Sequence, residues 1–200
     1  MKTKGISLIL LIAFLGIVAC NTGRKRPPNK DDMHFEVNED LLGETQTNEK
    51  LGVAYAAPKN WETVTGEPKK KLSQTLSEMG ATDDVQLLSV YFEQETASLL
   101  FVSDLSKLSD TVMLAAIANY KTYFADTTKN ERVMMDDFEY NGFYIRQFLI
   151  QSPGLVNFKL WFLEGGKKRF QVDYMVPAEV YMKKIKDIES SIGSFHKLNY

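Results

Sequence analysis

From residue 53 onward, apolar positions along the chain recur in two periods, one of about 3.6 residues and one of two, and the changes between them mark out the elements. Leu72, Leu76 and Met79 fall at i, i+4 and i+7 with Gly80 just beyond, where a left-handed cap is favoured, so a helix is expected over 68–79. Met113, Ile117, Tyr120 and Phe124 repeat at i, i+4, i+7 and i+11 behind Ser109-Asp110, whose side chains can accept from the free amides of a first turn. Tyr181, Ile185, Ile188, Ile192 and Phe195 form the longest stripe, backed by Lys183, Lys184, Lys186 and Asp187. Pro177 is expected to open that third helix, at a position where a missing amide costs nothing.

Period-two stretches fill the intervals. Val53, Tyr55 and Ala57 alternate before Pro58, and 86–92 with 98–102 reads as a hairpin. A meander follows. Residues 133–140 meet 143–151 through Asn141-Gly142, the pair suited to positive φ in a tight turn, and Pro153-Gly154 leads into 156–163. Glu164-Gly165-Gly166-Lys167 then turns the chain into 169–176. Val156, Phe158, Leu160 and Phe162 share one face with Phe170, Val172, Tyr174 and Val176, while Trp161, Leu163 and Met175 occupy the other. A sheet apolar on both faces needs cover on both. The expected class is α+β: an α/β/α sandwich whose central antiparallel β-meander is covered by helices.

Composition narrows the functional classes. Hydrophobic residues make up 44% and charged residues 25% of the 200, which describes a folding sequence. The 24 Lys and Arg nearly balance 26 Asp and Glu, so no nucleic-acid partner is expected. A single Cys excludes an internal disulfide and two His leave little for a metal centre, so no cofactor is expected.

The first 20 residues differ from the rest. A cationic start, Met1-Lys2-Thr3-Lys4, precedes a 14-residue apolar run, 6–19, and then Cys20. As a helix that run reaches about 21 Å, short of a hydrocarbon core of about 30 Å, so it reads as an export signal rather than a span. Its end, Ile17-Val18-Ala19-Cys20, resembles the lipobox of bacterial lipoproteins. The resemblance implies cleavage between Ala19 and Cys20 and a diacylglyceryl thioether on the Cys20 sulfur. More than one fatty chain makes attachment stable, at about 0.8 kcal/mol per buried methylene. Removing 1–19 takes away Lys2 and Lys4 and no acid, moving the formal charge from −2 to −4. Residues 20–33 then form the lipidated Cys and a polar tether containing Arg24-Lys25-Arg26 and Pro27-Pro28, and 34–200 form one domain.

The order of elements, with Pro58-Lys59-Asn60-Trp61 after the first predicted strand and Ser191-Ile192-Gly193-Ser194-Phe195 closing the last helix, resembles the PsbP extrinsic subunit of photosystem II and the DcrB-like envelope lipoproteins. The resemblance spans about 51–195. It implies an α/β/α sandwich in which the indole helps close the sheet, with Asn60 standing where Gly is commoner. Members of this fold mostly bind or assemble other proteins. Some PsbP proteins bind metal, but no motif carries a ligand site to this chain.

No catalytic set emerges. His34 and His196, the only candidate imidazole bases for a serine nucleophile, sit at the two ends of the domain and are expected to be exposed. Gly165-Gly166 reads as a turn rather than a phosphate cradle. Asp136-Asp137 with Glu139, and Asp83-Asp84, read as solvated faces, because hard cations need six or more oxygens. The cationic turn Lys167-Lys168-Arg169 is a candidate docking patch for an acidic partner. The expected function is that of a non-enzymatic envelope lipoprotein, joined to a membrane through Cys20 and binding or assembling an envelope protein. The alternative is a small-ligand or metal-binding lipoprotein with a pocket between sheet and helix.

Overall fold

The structure, a computed structural model, describes residues 35–78, 84–125, 132–163 and 169–198. A short 3₁₀ turn, Glu39–Leu41, leads into β1 (Leu42–Asn48), β2 (Val53–Pro58) and β3 (Glu62–Thr63). Then come α1 (Gly66–Glu78), the hairpin of β4 (Gln86–Glu93) and β5 (Ser98–Asp104), and α2 (Asp110–Ala125). The meander is β6 (Arg132–Tyr140), β7 (Phe143–Ser152), β8 (Leu155–Leu163) and β9 (Arg169–Pro177), followed by α3 (Tyr181–Gly193) and β10 (His196–Lys197).

The meander forms as its pattern requires, each strand pairing antiparallel with the next. Asn141 and Gly142 hold φ of 48° and 77°, the two left-handed positions that the turn between β6 and β7 needs. Beyond β9 the sheet continues through β5, giving seven strands in the order β3-β4-β5-β9-β8-β7-β6. The hairpin 86–104 therefore inserts beside the end of the meander. The strand closing the meander is an interior one.

Both faces of this sheet are covered, as its two-sided apolar pattern demands. On one face Leu100, Leu160, Phe162, Phe170 and Val172 pack with Val53 and Tyr55 of β2 and with Ile188, Ile192 and Phe195. The Phe195 ring stacks on Tyr55 at 4.6 Å, and the Ser191 hydroxyl donates to the Ala56 carbonyl at 2.6 Å, so α3 and β2 form one covering layer. On the other face Met113, Ala116 and Ile117 of α2 lie against Phe148, Trp161, Ile150 and Leu163.

Three details depart from the sequence reading. The chain has a strand ahead of Val53: β1 pairs with β2, which pairs with β10, to make a second, three-stranded sheet. Its sequence, LGETQTN, is almost wholly polar and largely exposed, so no apolar period announces it. Pro177 ends β9 opposite Leu155 instead of opening a helix, and α3 begins at Tyr181 after a turn in which the Val180 amide donates to the Pro177 carbonyl. The first helix starts at Gly66, whose φ is +64°, two residues earlier than expected; Met79 and Gly80 lie outside the described residues.

Trp61 takes the structural position expected of it. It is 6% exposed, set edge-on to Tyr174 at 6.3 Å, and reached through Asn60 at a φ of +68°. Asn tolerates that left-handed conformation, which is why it can stand where glycine would serve.

Candidate functional site

Chain connectivity leaves the seven-stranded sheet with two edges. One is β3, only two residues long; the other is β6, nine residues long. The second sheet ends in the polar β1 and the two-residue β10. Among the described strands, β6 is thus the long edge that carries apolar side chains into solvent. Met134 is 59% and Met135 40% exposed, although each ends a row of side chains that crosses the sheet. Met134 stands opposite Leu149, which continues through Phe158, Tyr174 and Leu100 of the larger core. Met135, on the other face, stands opposite Phe148 of the smaller one.

Acidic side chains follow the methionines. Asp136 and Glu139 are exposed, and Asp137 takes the Arg146 guanidinium in a two-pronged contact, at 2.6 Å from Nε and 2.7 Å from Nη2. Hydrogen bonding to Asp137 holds the Arg146 pKa above its usual value, so this carboxylate is answered across the strand pair. Asp137 and Glu139 share a face, as their spacing requires, but Asp137 is engaged by a base of its own fold. No group of three or more His, Cys, Asp or Glu among the described residues is placed to hold a metal ion.

The face under α2 carries a second polar feature. Lys159 Nζ lies 2.5 Å from Asp173 Oδ1, with the two side chains 11% and 8% exposed. Gln171 donates to the other Asp173 oxygen, and the Trp161 indole N–H donates to Gln171 Oε1 at 2.7 Å. Asn157 Oδ1, on the same face, is buried and has no hydrogen-bond partner among the described residues. The register of the β8–β9 hairpin explains this chain: Lys159 pairs with Asp173 and Trp161 with Gln171, all on the positions that alternate with the apolar set. Alternation together with the antiparallel register of β8 and β9 was the signal that could have brought these residues together.

The expected site residues are distributed as follows. Ala19, Cys20, His34, Asp83, Gly165, Gly166, Lys167 and Lys168 lie outside the described residues. Arg169 lies within them, and its guanidinium turns onto the start of α2, donating to the Leu108 carbonyl at 3.1 Å and to the Asp110 carboxylate. The Arg169 side chain is 18% exposed. Its strand is also flanked on both sides, by β8 and β5, so it borders no open edge. His196 is exposed on β10, with Nδ1 2.9 Å from the Ser194 carbonyl. Sequence reading named the acids of β6 but not Met134 and Met135, because only the strand order makes that strand the edge.

No family model matches the chain, and no curated protein matches it. Among solved structures it is similar to cyanobacterial PsbP (CyanoP) from Synechocystis sp. PCC 6803, at 12% identity, covering 77% of this chain and 91% of that one, with a TM-score of 0.43. The α+β arrangement described above rests on the strand order and packing of this chain itself.

Proposed function

We propose that this chain is a membrane-anchored lipoprotein of the bacterial cell envelope that works by binding another envelope protein rather than by turnover. The observation that carries the binding role is the exposed pair Met134 and Met135 on the long free edge β6. Methionine is flexible and polarisable, and it is favoured where one surface must fit a partner's side chains. The lipobox-like Ile17-Val18-Ala19-Cys20 and the polar segment 21–33 support the anchor, which would hold the domain at a membrane surface on a tether. Lys167 and Lys168 belong to the same proposal as a cationic contact for an acidic partner; Arg169 is already engaged by Asp110 within the fold.

A small-ligand reading draws on one observation, the buried polar chain of Lys159, Asp173, Gln171 and Trp161 beneath α2. Those groups answer one another within the fold, which makes the protein-binding reading the better supported.

Two measurements on the full chain in its native envelope test the proposal. Labelled fatty acid should enter the wild type and not Cys20→Ser, and chemical crosslinking should give a discrete protein adduct whose yield falls when Cys20→Ser releases the chain from the membrane. Unchanged labelling would remove the anchor. Adducts to lipid alone would remove the binding role.

A further inference from the structure

We infer that β6 pairs with the β6 of a second copy of this chain, antiparallel and centred on Met134, so that the protein bound in the proposed function is the chain itself. The inference rests on the binding role proposed for Met134 and Met135 and names its partner. The two-residue turn at Asn141-Gly142 makes Tyr140 and Phe143 a hydrogen-bonded pair, so with an unbroken register Phe138, Asp136, Met134 and Arg132 bond to β7 in turn. The amides and carbonyls of Glu139, Asp137, Met135 and Val133 then point away from β7. Asp137 is already engaged: its amide donates to Asp136 Oδ1 at 2.8 Å and its carboxylate accepts from Arg146. What β6 offers is therefore a short stretch. Ahead of Asp137 lie the outward groups of Val133 and Met135, which no described residue pairs.

The sequence over this stretch is complementary to itself. About a two-fold axis at Met134, Arg132 stands opposite Asp136 of the second copy, Val133 opposite its Met135, and Met134 opposite its Met134. Each Val133–Met135 pair exchanges both amide–carbonyl bonds, and none of these needs the Asp137 amide. Arg132 and Asp136 are exposed and share a face with Met134, so opposite charges flank the methionine contact on either side. The contact covers Met134 and Met135, which are 59% and 40% exposed in the single chain. Neighbouring registers fail on the same criteria. A centre at Val133 sets Met135 against Glu131 and Arg132 against Met134. A centre at Met135 sets Met134 against Asp136 and calls on the Asp137 amide, and a centre at Asp136 sets like charges opposite one another. With the centre at Met134 the ladder stops where Glu131 of the second copy meets Asp137, whose charge Arg146 answers and whose amide is taken. A pairing from Arg132 to Asp136 is small beside a stable interface, which buries about 1,200–2,000 Å². It suits copies gathered on one membrane surface by the proposed anchor.

The test places single cysteines in the full chain in its native envelope, with the parent, whose one cysteine is Cys20, as background. At the axis the two Met134 residues form a non-hydrogen-bonded pair with Cα atoms about 4.5 Å apart, a separation a disulfide spans, whereas the two Met135 residues are diagonal neighbours at about 7–8 Å. Mild oxidation should therefore convert Met134→Cys to a covalent dimer, with about fivefold less or lower from Met135→Cys. Adding Asp136→Arg to Met134→Cys should cut the dimer about fivefold, as should adding Arg132→Asp, because each sets like charges opposite one another. The two charge changes together should restore it, since opposite charges then face each other in reverse, and that recovery separates pairing from misfolding. No dimer above the parent background, equal dimer from Met134→Cys and Met135→Cys, or a double charge reversal no better than the single ones would overturn self-pairing. A photo-adduct from Met134 to a different protein, with no disulfide, would leave the binding role standing and remove only this partner. Fatty-acid labelling of the same envelopes reads the anchor separately.

Discussion

Lys159 and Asp173 face each other across β8 and β9 at 2.5 Å, on a sheet face that α2 covers in part, with both side chains almost closed to solvent. Taking two charges out of water costs several kcal/mol per ion, and their attraction repays that only when geometry is good and the remaining lone pairs are used. Gln171 and, through it, Trp161 supply that completion. Breaking the pair from one side should therefore be severe: Lys159→Met or Asp173→Asn is expected to lose about 3–5 kcal/mol in urea unfolding. Lys159→Met with Asp173→Leu should recover most of that loss. Single variants as stable as the parent would show that the pair is solvated in the folded protein.

Trp61 offers a second test, because its ring is buried against Tyr174 while its indole N–H has no acceptor among the described residues. Trp61→Ala is expected to lose about 3–5 kcal/mol through the cavity it leaves. Trp61→Phe keeps much of the packing and removes an unpartnered donor, so its loss should be well under half of that. Equal melting temperatures for the parent and Trp61→Ala would contradict the structural role.

These two sites show how much the sequence disclosed. Period-two runs placed all four meander strands within a residue or so, since the buried positions in them are apolar apart from Asp173 and the Asn141-Gly142 turn sets the register. The same parity argument located Trp161 and Met175 on the second face. What stayed hidden depends on contacts distant in sequence. β1 is polar because only its backbone is needed, pairing with β2. The hairpin 86–104 joins β9 and not β6, and nothing local to either strand encodes that choice. The exposed edge, and with it Met134 and Met135, follows from that single pairing.

The turn between β1 and β2 is tied to the large sheet by Lys50, whose Nζ lies 2.7 Å from Asp104 Oδ2 and 2.8 Å from Gln86 Oε1. Burial alone would raise the Asp104 pKa, but hydrogen bonds from Lys50 and Ser106 outweigh it and hold the group below its usual 3.8. A depressed folded pKa contributes stability above the unfolded value and loses it as pH falls through the folded one. The stability difference between the parent and Asp104→Asn should thus be constant near neutrality and narrow as the pH drops below 3.8. Urea unfolding at pH 7 and at successively lower pH checks this, and a difference independent of pH would refute it.

The proposed binding role requires β6 to be the surface that meets another protein. A photo-crosslinking amino acid placed at Met134 in the full chain, expressed in its native envelope, measures this directly, with the same probe at Gln46 of the polar edge β1 as the control. Because Met134 is an exposed position, substitution there should leave the fold intact. The expected result is one discrete protein adduct from Met134, reduced by Asp136→Lys, and none of comparable yield from Gln46. Equal labelling from the two edges, or capture of lipid alone from Met134, would contradict it.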